Sequence, residues 1–205
     1  MTADHYFSAE PAAPENRSRI EFTAAGRAYD LAVAAGVFSA GRLDPGTAVL
    51  LRKADLPTAA AGGATFLDLG CGYGPIACVL ATEAPAATVW AIDVNARARD
   101  LTVENAAALG LADRVHVAAP DDVPDETAFD EIWSNPPTHV GKAELHALME
   151  RWLPRLKPAG VGWLVINRNL GGDSLHTWLT SLGWEVVRTA SQRGFRVLRV
   201  TRKTG

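Results

Sequence analysis

Thr65-Phe-Leu-Asp-Leu-Gly-Cys-Gly-Tyr-Gly74 is followed by Pro75 and the apolar run Ile76 to Ala81. The apolar segment Phe66 to Leu69 runs into glycines at alternate positions, Gly70, Gly72 and Gly74, and then into helix-forming sequence, so the stretch reads as strand, tight turn, helix. Glycine supplies backbone angles closed to other residues and lets a ligand approach the main chain. The first turn of a helix adds N–H groups that have no partner inside the helix. The turn therefore reads as a cofactor loop.

Its spacing narrows the cofactor. The dinucleotide fingerprint carries its third glycine three residues after the second, where this chain has Pro75, and it seats a pyrophosphate at the helix start. Asp68, two residues before the first glycine, would repel a pyrophosphate but attract the ammonium and sulfonium of S-adenosylmethionine. Asp93 comes twenty-three residues after Gly70 and follows a second apolar strand, Thr88 to Ile92; a carboxylate there can accept both ribose hydroxyl protons. No Gly-Lys-Ser/Thr follows the glycines, which excludes a Walker-type phosphate loop. A glycine-rich turn without a ligand is the plainer alternative, and the two aspartates weigh against it.

Working outward, 205 residues with 48% hydrophobic composition suffice for one full core. No apolar run approaches the ~20 residues needed to cross a membrane, and the N-terminus Met-Thr-Ala-Asp-His-Tyr-Phe lacks the features of a signal peptide. A cytoplasmic protein without a membrane partner is expected. Cys71 and Cys78 have no Cys or His cluster around them suited to zinc, so they read as small buried residues in a reducing compartment and no metal is expected. The net charge of −3 argues against a protein that coats nucleic acid. Yet Arg188, Arg193, Arg196, Arg199, Arg202 and Lys203 form a C-terminal region without acidic residues, whereas Asp121 to Glu131 is acidic without a base. The basic region either tracks RNA phosphates or lies on solvated terminal strands.

Residues 1–18 read as an Ala/Pro-rich arm in which His5, Tyr6 and Phe7 stand out. Arg19 to Thr23 and Ala28 to Ala32 read as a hairpin, followed by a compact run from Gly36 and a helix from Thr47 to Ala54. Beyond the Pro57 to Gly63 linker, strands and helices alternate. The helices are Pro75 to Thr82, Ala96 to Leu109, Lys142 to Leu156 and Asp173 to Leu182. The strands are Thr88 to Ile92, Arg114 to Ala118, Glu131 to Ser134 and Gly160 to Asn167. Such alternation means a parallel sheet with helices on both faces. Trp184 to Arg188 and Phe195 to Val200 have no helix between them and form a closing hairpin. The expected fold is α/β, a doubly wound, mostly parallel seven-stranded sheet with a C-terminal antiparallel hairpin and a short N-terminal hairpin extension. Residues 1–63 form the arm, hairpin and lead-in helix, and 64–205 form the cofactor domain. This is the architecture that class I S-adenosylmethionine-dependent methyltransferases share, and the chain resembles them.

The strand ending at Ser134 delivers Ser134-Asn-Pro-Pro-Thr-His139 to the edge of the sheet where ligands bind. The double proline forbids continuation of the ladder and holds Asn135 rigidly. Its side-chain carbonyl and the main-chain carbonyl of Pro136 can accept both protons of a planar amino group. That polarisation returns a delocalised lone pair to nitrogen and aims it at a sulfonium methyl for in-line displacement. The alternative is a strand-ending turn.

The run is similar to the Asn-Pro-Pro-aromatic-His motif of the ribosomal RNA guanine-N2 methyltransferases of the small and large subunits. The likeness extends from His5-Tyr-Phe-Ser through Gly36-Val-Phe-Ser39 and Gly141-Lys-Ala-Glu-Leu-His146 to the closing Gly194-Phe-Arg-Val-Leu-Arg-Val200. It covers the catalytic, C-terminal domain of members that carry two. The resemblance implies that Phe38 and Ser39 lie beside the methionine part of S-adenosylmethionine, with Asp68, Gly70, Tyr73, Gly72 and Gly74 around the cofactor. It further implies Asp93 at the ribose, Asn95 and Asn135 among the cofactor-binding residues, Asp121 near the adenine amino group, and Asn135, Pro136, Pro137 and His139 at the target amine, with ribosomal RNA as partner. His139 either orients the substrate or serves as a structural residue. The chain departs from the pattern at Thr138, where the family carries an aromatic residue. Phe7, Phe38, Trp133 and Phe195 are candidate replacements. Two other functions fit the same residues: methylation of a glutamine amide or small-molecule amine, and a module that binds cofactor or RNA without turnover.

Overall fold

A computed structural model of the chain describes residues 16–37, 41–58, 62–137 and 141–203. It opens with the antiparallel hairpin β1 (Arg17–Ala24) and β2 (Arg27–Ala34). Ala25 and Gly26, at φ 49° and 75°, make the two-residue turn whose twist suits a hairpin. The first helix, α1, spans Pro45–Lys53 and begins two residues earlier than the apolar pattern suggests. Asp44 caps it, and Pro45 stands at the first helical position, where its missing N–H costs nothing.

The main sheet follows as β3 (Thr65–Leu69), β4 (Thr88–Ile92), β5 (Val115–Ala118), β6 (Phe129–Ser134), β7 (Leu156–Asn167), β8 (Trp184–Gln192) and β9 (Phe195–Arg202). Its order is β5-β4-β3-β6-β7-β9-β8. The pairs from β5 to β7 are parallel, and β9 runs antiparallel to both β7 and β8. Helices α2 (Pro75–Glu83), α3 (Ala96–Ala108), α4 (Lys142–Trp152) and α5 (Gly172–Ser181) supply the connections. The seven strands, the parallel centre, the terminal antiparallel hairpin and the short N-terminal hairpin agree with the reading from sequence.

The boundaries differ where proline and turn chemistry intervene. α4 stops at Trp152 and passes through a 3-10 turn, Leu153–Arg155, because Pro154 cannot continue the hydrogen-bond ladder. β7 then starts at Leu156, four residues before the expected Gly160. β8 runs to Gln192, not Arg188, so that only Arg193 and Gly194, at φ 50° and 81°, turn the last hairpin.

Alternation along the strands splits the core into two layers. On one face of β3 Phe66 joins residues of the N-terminal hairpin, α1, α2 and α3. On the other, Leu67 and Leu69 join α4 and α5 through Leu145, Met149, Trp152, Leu175 and Leu179. The N-terminal hairpin is tied to this core by Asn105 of α3, whose side chain completes a strand edge. Its Oδ1 accepts from Ala32 N at 2.7 Å, and its Nδ2 donates to Ala32 O at 2.9 Å and to Tyr73 O at 2.8 Å. No helix among the described residues is long and apolar enough to cross a membrane.

Candidate active site

Strand order reverses between β3 and β6: the chain moves outward from β3 through β4 to β5, then returns to the other side with β6 and β7. The loops leaving β3 and β6 therefore diverge, and a crevice opens beyond their carboxyl ends. Ser134, the last residue of β6, holds the two ends together by donating from Oγ to Leu69 O at 2.7 Å. The cleft there has a volume of about 250 Å³ and is lined by Gly70, Cys71, Gly72 and Tyr73 of the glycine loop, Asp93 and Asn95 beyond β4, and Asn135, Pro136 and Pro137 beyond β6. Asp44, Thr47, Pro120, Asn167 and Phe195 close its walls.

The glycine loop is fixed from below. Gly72 O accepts from Thr102 Oγ1 at 2.9 Å, and Tyr73 O accepts from Asn105 Nδ2, so α3 anchors two successive carbonyls. Gly74 caps α2 at φ 87°, and a methyl group on it would meet Thr102 Cγ2 at 2.9 Å. Gly70, at φ 78°, has no atom within 4 Å of the place a Cβ would take, and neither has Gly72. Those two positions leave main chain open to a ligand.

Asp93 makes the second wall. Its Oδ2 accepts from Gly72 N and its Oδ1 from Asn95 N, both at 2.9 Å. A carboxylate has about four lone-pair sites, so these main-chain donors still leave room for a ligand hydroxyl. Burial raises its pKa against these bonds and the nearby Arg99 guanidinium. Asn95 is committed elsewhere: it caps α3 by accepting from Ala98 N at 3.2 Å and donates from Nδ2 to Gly36 O at 3.0 Å. Its side chain thus shapes the cleft edge.

Asp68 sits differently from the simple electrostatic expectation. It is fully buried beneath the loop and does not line the cleft. Oδ2 accepts from Ala77 N, in the first turn of α2, at 2.9 Å, while Oδ1 has no hydrogen-bond partner among the described residues. Burial, with the Asp93 charge adding to it, pushes its pKa up to about 8. Asp68 therefore acts on the loop and helix start from below. A second buried polar atom without a partner among the described residues is the hydroxyl of Tyr73. The bare backbone at Gly70 and Gly72 and the Asp93 carboxylate, all on the cleft wall, are what a polar, nucleoside-bearing cofactor would satisfy, so the residues fit S-adenosylmethionine.

Asn135, on the cleft wall beyond β6, is held through its amide nitrogen. Its Nδ2 donates to Asp44 Oδ1 at 2.7 Å and to Thr47 Oγ1 at 3.0 Å, joining positions 91 and 88 residues apart. Asp121 is not among the residues lining the cleft; its side chain is 87% exposed and paired with Arg151 at 2.8 Å. Phe38, Ser39, Thr138 and His139 lie outside the described residues, as does Phe7. Of the aromatic candidates, Trp133 is wholly buried against Trp163, at 5.8 Å between ring centroids, whereas Phe195 lines the cleft. Asp44, Thr47 and Asn167 are wall residues that sequence reasoning missed. The dipeptide Asp44-Pro45, an N-cap followed by proline, is the signal that marks the start of α1.

The C-terminal basic region also divides. Arg196 pairs with Asp173, and Arg202 donates to Pro154 O at 2.7 Å and lies over the Trp184 ring. Arg188 and Arg193 are exposed.

Comparison with known proteins places this geometry. The family described as "Methyltransferase small domain" matches residues 28–199. An uncharacterized Bacillus subtilis protein, YbxB, is 32% identical over 200 residues, covering 96% of this chain and 98% of its own length. The ribosomal RNA small subunit methyltransferase C of Hahella chejuensis is 39% identical over 140 residues, which cover 66% of this chain but only 39% of that protein. Among solved structures, a T. thermophilus 16S rRNA N2 methyltransferase, RsmC, in complex with AdoMet and guanosine superposes with a TM-score of 0.75 at 26% identity. The match covers 94% of this chain and 52% of that one.

Proposed function

The chain belongs to the methyltransferase small domain family, within the class I S-adenosylmethionine-dependent methyltransferases, and on that footing we propose that it methylates an exocyclic amine, N2 of guanine in ribosomal RNA. The observation that carries the reading is the convergence, in one cleft, of an open glycine loop with Asp93 on one side and Asn135-Pro136 on the other. A cofactor-binding wall thus faces an amine-accepting wall.

S-adenosylmethionine held at the glycine loop and Asp93 would supply an electrophilic sulfonium methyl, whose transfer to the amine nitrogen would leave the methylated amine, S-adenosylhomocysteine and a proton. Gly70 and Gly72 would let the cofactor lie against main chain, and Asp93 would receive the ribose hydroxyls. The Asn135 side-chain carbonyl and Pro136 main-chain carbonyl accept the amine's two protons. Both interactions strengthen as positive charge develops on nitrogen, so they favour the transition state over the ground state.

Phe195 supports a nucleobase as the acceptor. Its ring stands in the cleft with Pro136 and Pro137, where a planar base can stack, an interaction worth ~1–3 kcal/mol. It supplies the aromatic surface that Thr138 does not.

A tritiated-methyl transfer assay tests the reading, using total RNA and total protein from cells lacking this enzyme. Label in ribosomal RNA, recovered as N2-methylguanosine after digestion, is the expected result. Label confined to protein would assign the cleft to a glutamine amide, and no transfer to either would leave a binding module.

A further inference from the structure

We propose that Asp44 and Thr47 are positioning residues that fix the orientation of the Asn135 amide, turning its nitrogen into the protein and its carbonyl toward the cleft. The inference rests on the amine-acceptor reading of Asn135 and says what makes that acceptor ready before substrate arrives.

A primary amide can occupy one place in two orientations, related by a half-turn about its last bond, which exchange oxygen and nitrogen. Only one presents an acceptor to an incoming amine; the other presents donors and would repel it. The double proline after Asn135 fixes the backbone but not this choice. The choice lies with the neighbours. Both N–H bonds of Asn135 are used, one by Asp44 Oδ1 at 2.7 Å and the other by Thr47 Oγ1 at 3.0 Å. An ionised carboxylate has no proton to donate. Rotating the amide would therefore set two oxygens 2.7 Å apart in place of a charge-assisted hydrogen bond.

Asp44 is itself immobilised. The same Oδ1 that receives Asn135 also accepts from Gly46 N at 2.7 Å and Thr47 N at 3.0 Å, so the oxygen is pinned by the first turn of α1. Thr47 is buried. At Gly46 a side chain would meet Asp44 Oδ1 at 2.9 Å and the Phe195 ring at 3.0 Å, so the glycine lets cap and ring approach one another. The helix start thus does two things at once: it satisfies its own N–H groups and it orients the Asn135 amide across the sheet.

Helix capping alone would explain the conformation of Asp44, so the test must separate capping from positioning. Asn and Ser cap about as well as Asp. The side chain of D44N keeps an oxygen at the same reach; that of D44S ends one bond earlier. The variants are D44N, D44S/T47V and N135A, each checked for parental thermal stability. The first readout is ¹H–¹⁵N NMR of the Asn135 side-chain amide, identified as the pair missing from N135A. The second is turnover of the methyl acceptor with cofactor affinity measured separately.

The expected result is a slowly exchanging amide pair in the parent, and exchange about tenfold faster or more in D44S/T47V, as the loss of a hydrogen bond to a charged group implies. D44N should fall between them. Turnover should rank in the same order, with cofactor affinity within about twofold of the parent throughout; a tenfold loss corresponds to ~1.4 kcal/mol at the barrier. Equal amide exchange in D44N and D44S/T47V would overturn the proposal and leave Asp44 a helix cap. Full turnover in N135A would instead remove the amine-acceptor reading on which it rests. Loss of turnover in N135A together with parental turnover in D44S/T47V would spare that reading and refute only the positioning role.

Discussion

Replacing Asp68 by Asn should change the pH dependence of stability more than stability itself. The carboxyl is fully buried with one oxygen bonded to Ala77 N and the other unpartnered, and burial raises its pKa from 3.8 to about 8. Folding therefore takes up a proton that the unfolded chain has released at neutral pH. Stability from this group is fully present below about pH 4, falls as pH rises, and levels off above about 8. Each pH unit in that window is worth about 1.4 kcal/mol, so the parent should lose roughly 4 kcal/mol between pH 5 and pH 8 through Asp68 alone. D68N keeps the side-chain oxygen for Ala77 N and cannot titrate. Glu131, raised by burial to about 7, titrates over the same range but is present in both proteins and drops out of the difference. Urea denaturation of the ligand-free proteins at pH 5 and pH 8 measures the quantity directly. A parent-minus-variant stability difference that changes by less than ~1 kcal/mol between the two pH values would mean that Asp68 is ionised and solvated in the folded protein, and the reasoning from its burial would fail.

Three further outcomes follow from the site. D93A should weaken S-adenosylmethionine or S-adenosylhomocysteine by ~1–3 kcal/mol in calorimetry, the worth of charge-assisted ribose hydrogen bonds; an unchanged dissociation constant in the folded variant would remove Asp93 from the cofactor wall. G70A and G74A should part company: both carry positive-φ strain of ~1–2 kcal/mol, but a methyl at Gly70 projects into open cleft while one at Gly74 meets Thr102 Cγ2 at 2.9 Å. Thermal melts should thus show G74A the less stable, and G70A should lose cofactor affinity beyond its loss of stability. For RNA binding, Arg196 is committed to Asp173, so the informative pair is Arg188→Ser with Arg193→Asn, the second chosen because Asn tolerates the φ of 50° at that turn. The double variant should bind ribosomal RNA less tightly with a shallower dependence on salt, and an unchanged slope would return both arginines to plain solvated surface.

The sheet was legible because its signals are local and periodic. Phe66 to Leu69 and Thr88 to Ile92 are short apolar runs bounded by glycine or aspartate, and Gly70, Gly72 and Gly74 mark a turn that few other sequences permit. The limits of α4 and β8 were less legible because competing signals overlap there: an apolar helical pattern continues past Trp152 until Pro154 stops it, and Thr189 to Gln192 reads as loop until β9 pairs with it. Within the site, Asp93, Asn135 and the glycines announce themselves by position at strand ends. The bonds from Asn135 to Asp44 and from Asn105 to Ala32 and Tyr73 leave no such trace, because they join polar side chains to partners far away in sequence and follow no period. Asp68 shows the same limit from the other direction. Its place before the glycines is readable, but whether it faces the ligand or the underside of the loop depends on the pleat of β3 and the path of α2.

These long-range bonds explain how a cleft with a flexible-looking glycine loop can be ready for chemistry. An apolar core sets the sheet but orients no carbonyl, since dispersion and burial are indifferent to rotation of a polar group. Orientation comes from a few polar side chains that reach across the fold: Thr102 and Asn105 donate to the Gly72 and Tyr73 carbonyls below the glycine loop, Ser134 joins β6 to β3, and Asp44 accepts from the amide of Asn135. Each is buried or half-buried, so removing one leaves its partner without water as a substitute and costs more than the bond itself contributes. Asn105 adds a consequence for the N-terminal hairpin. Because one side chain holds both Ala32 and Tyr73, any displacement of β2 is felt at the cofactor loop through a rigid amide. The hairpin thus adds to the support that Thr102, Asp93 and Asp68 give the glycine loop, although it lies outside the main sheet.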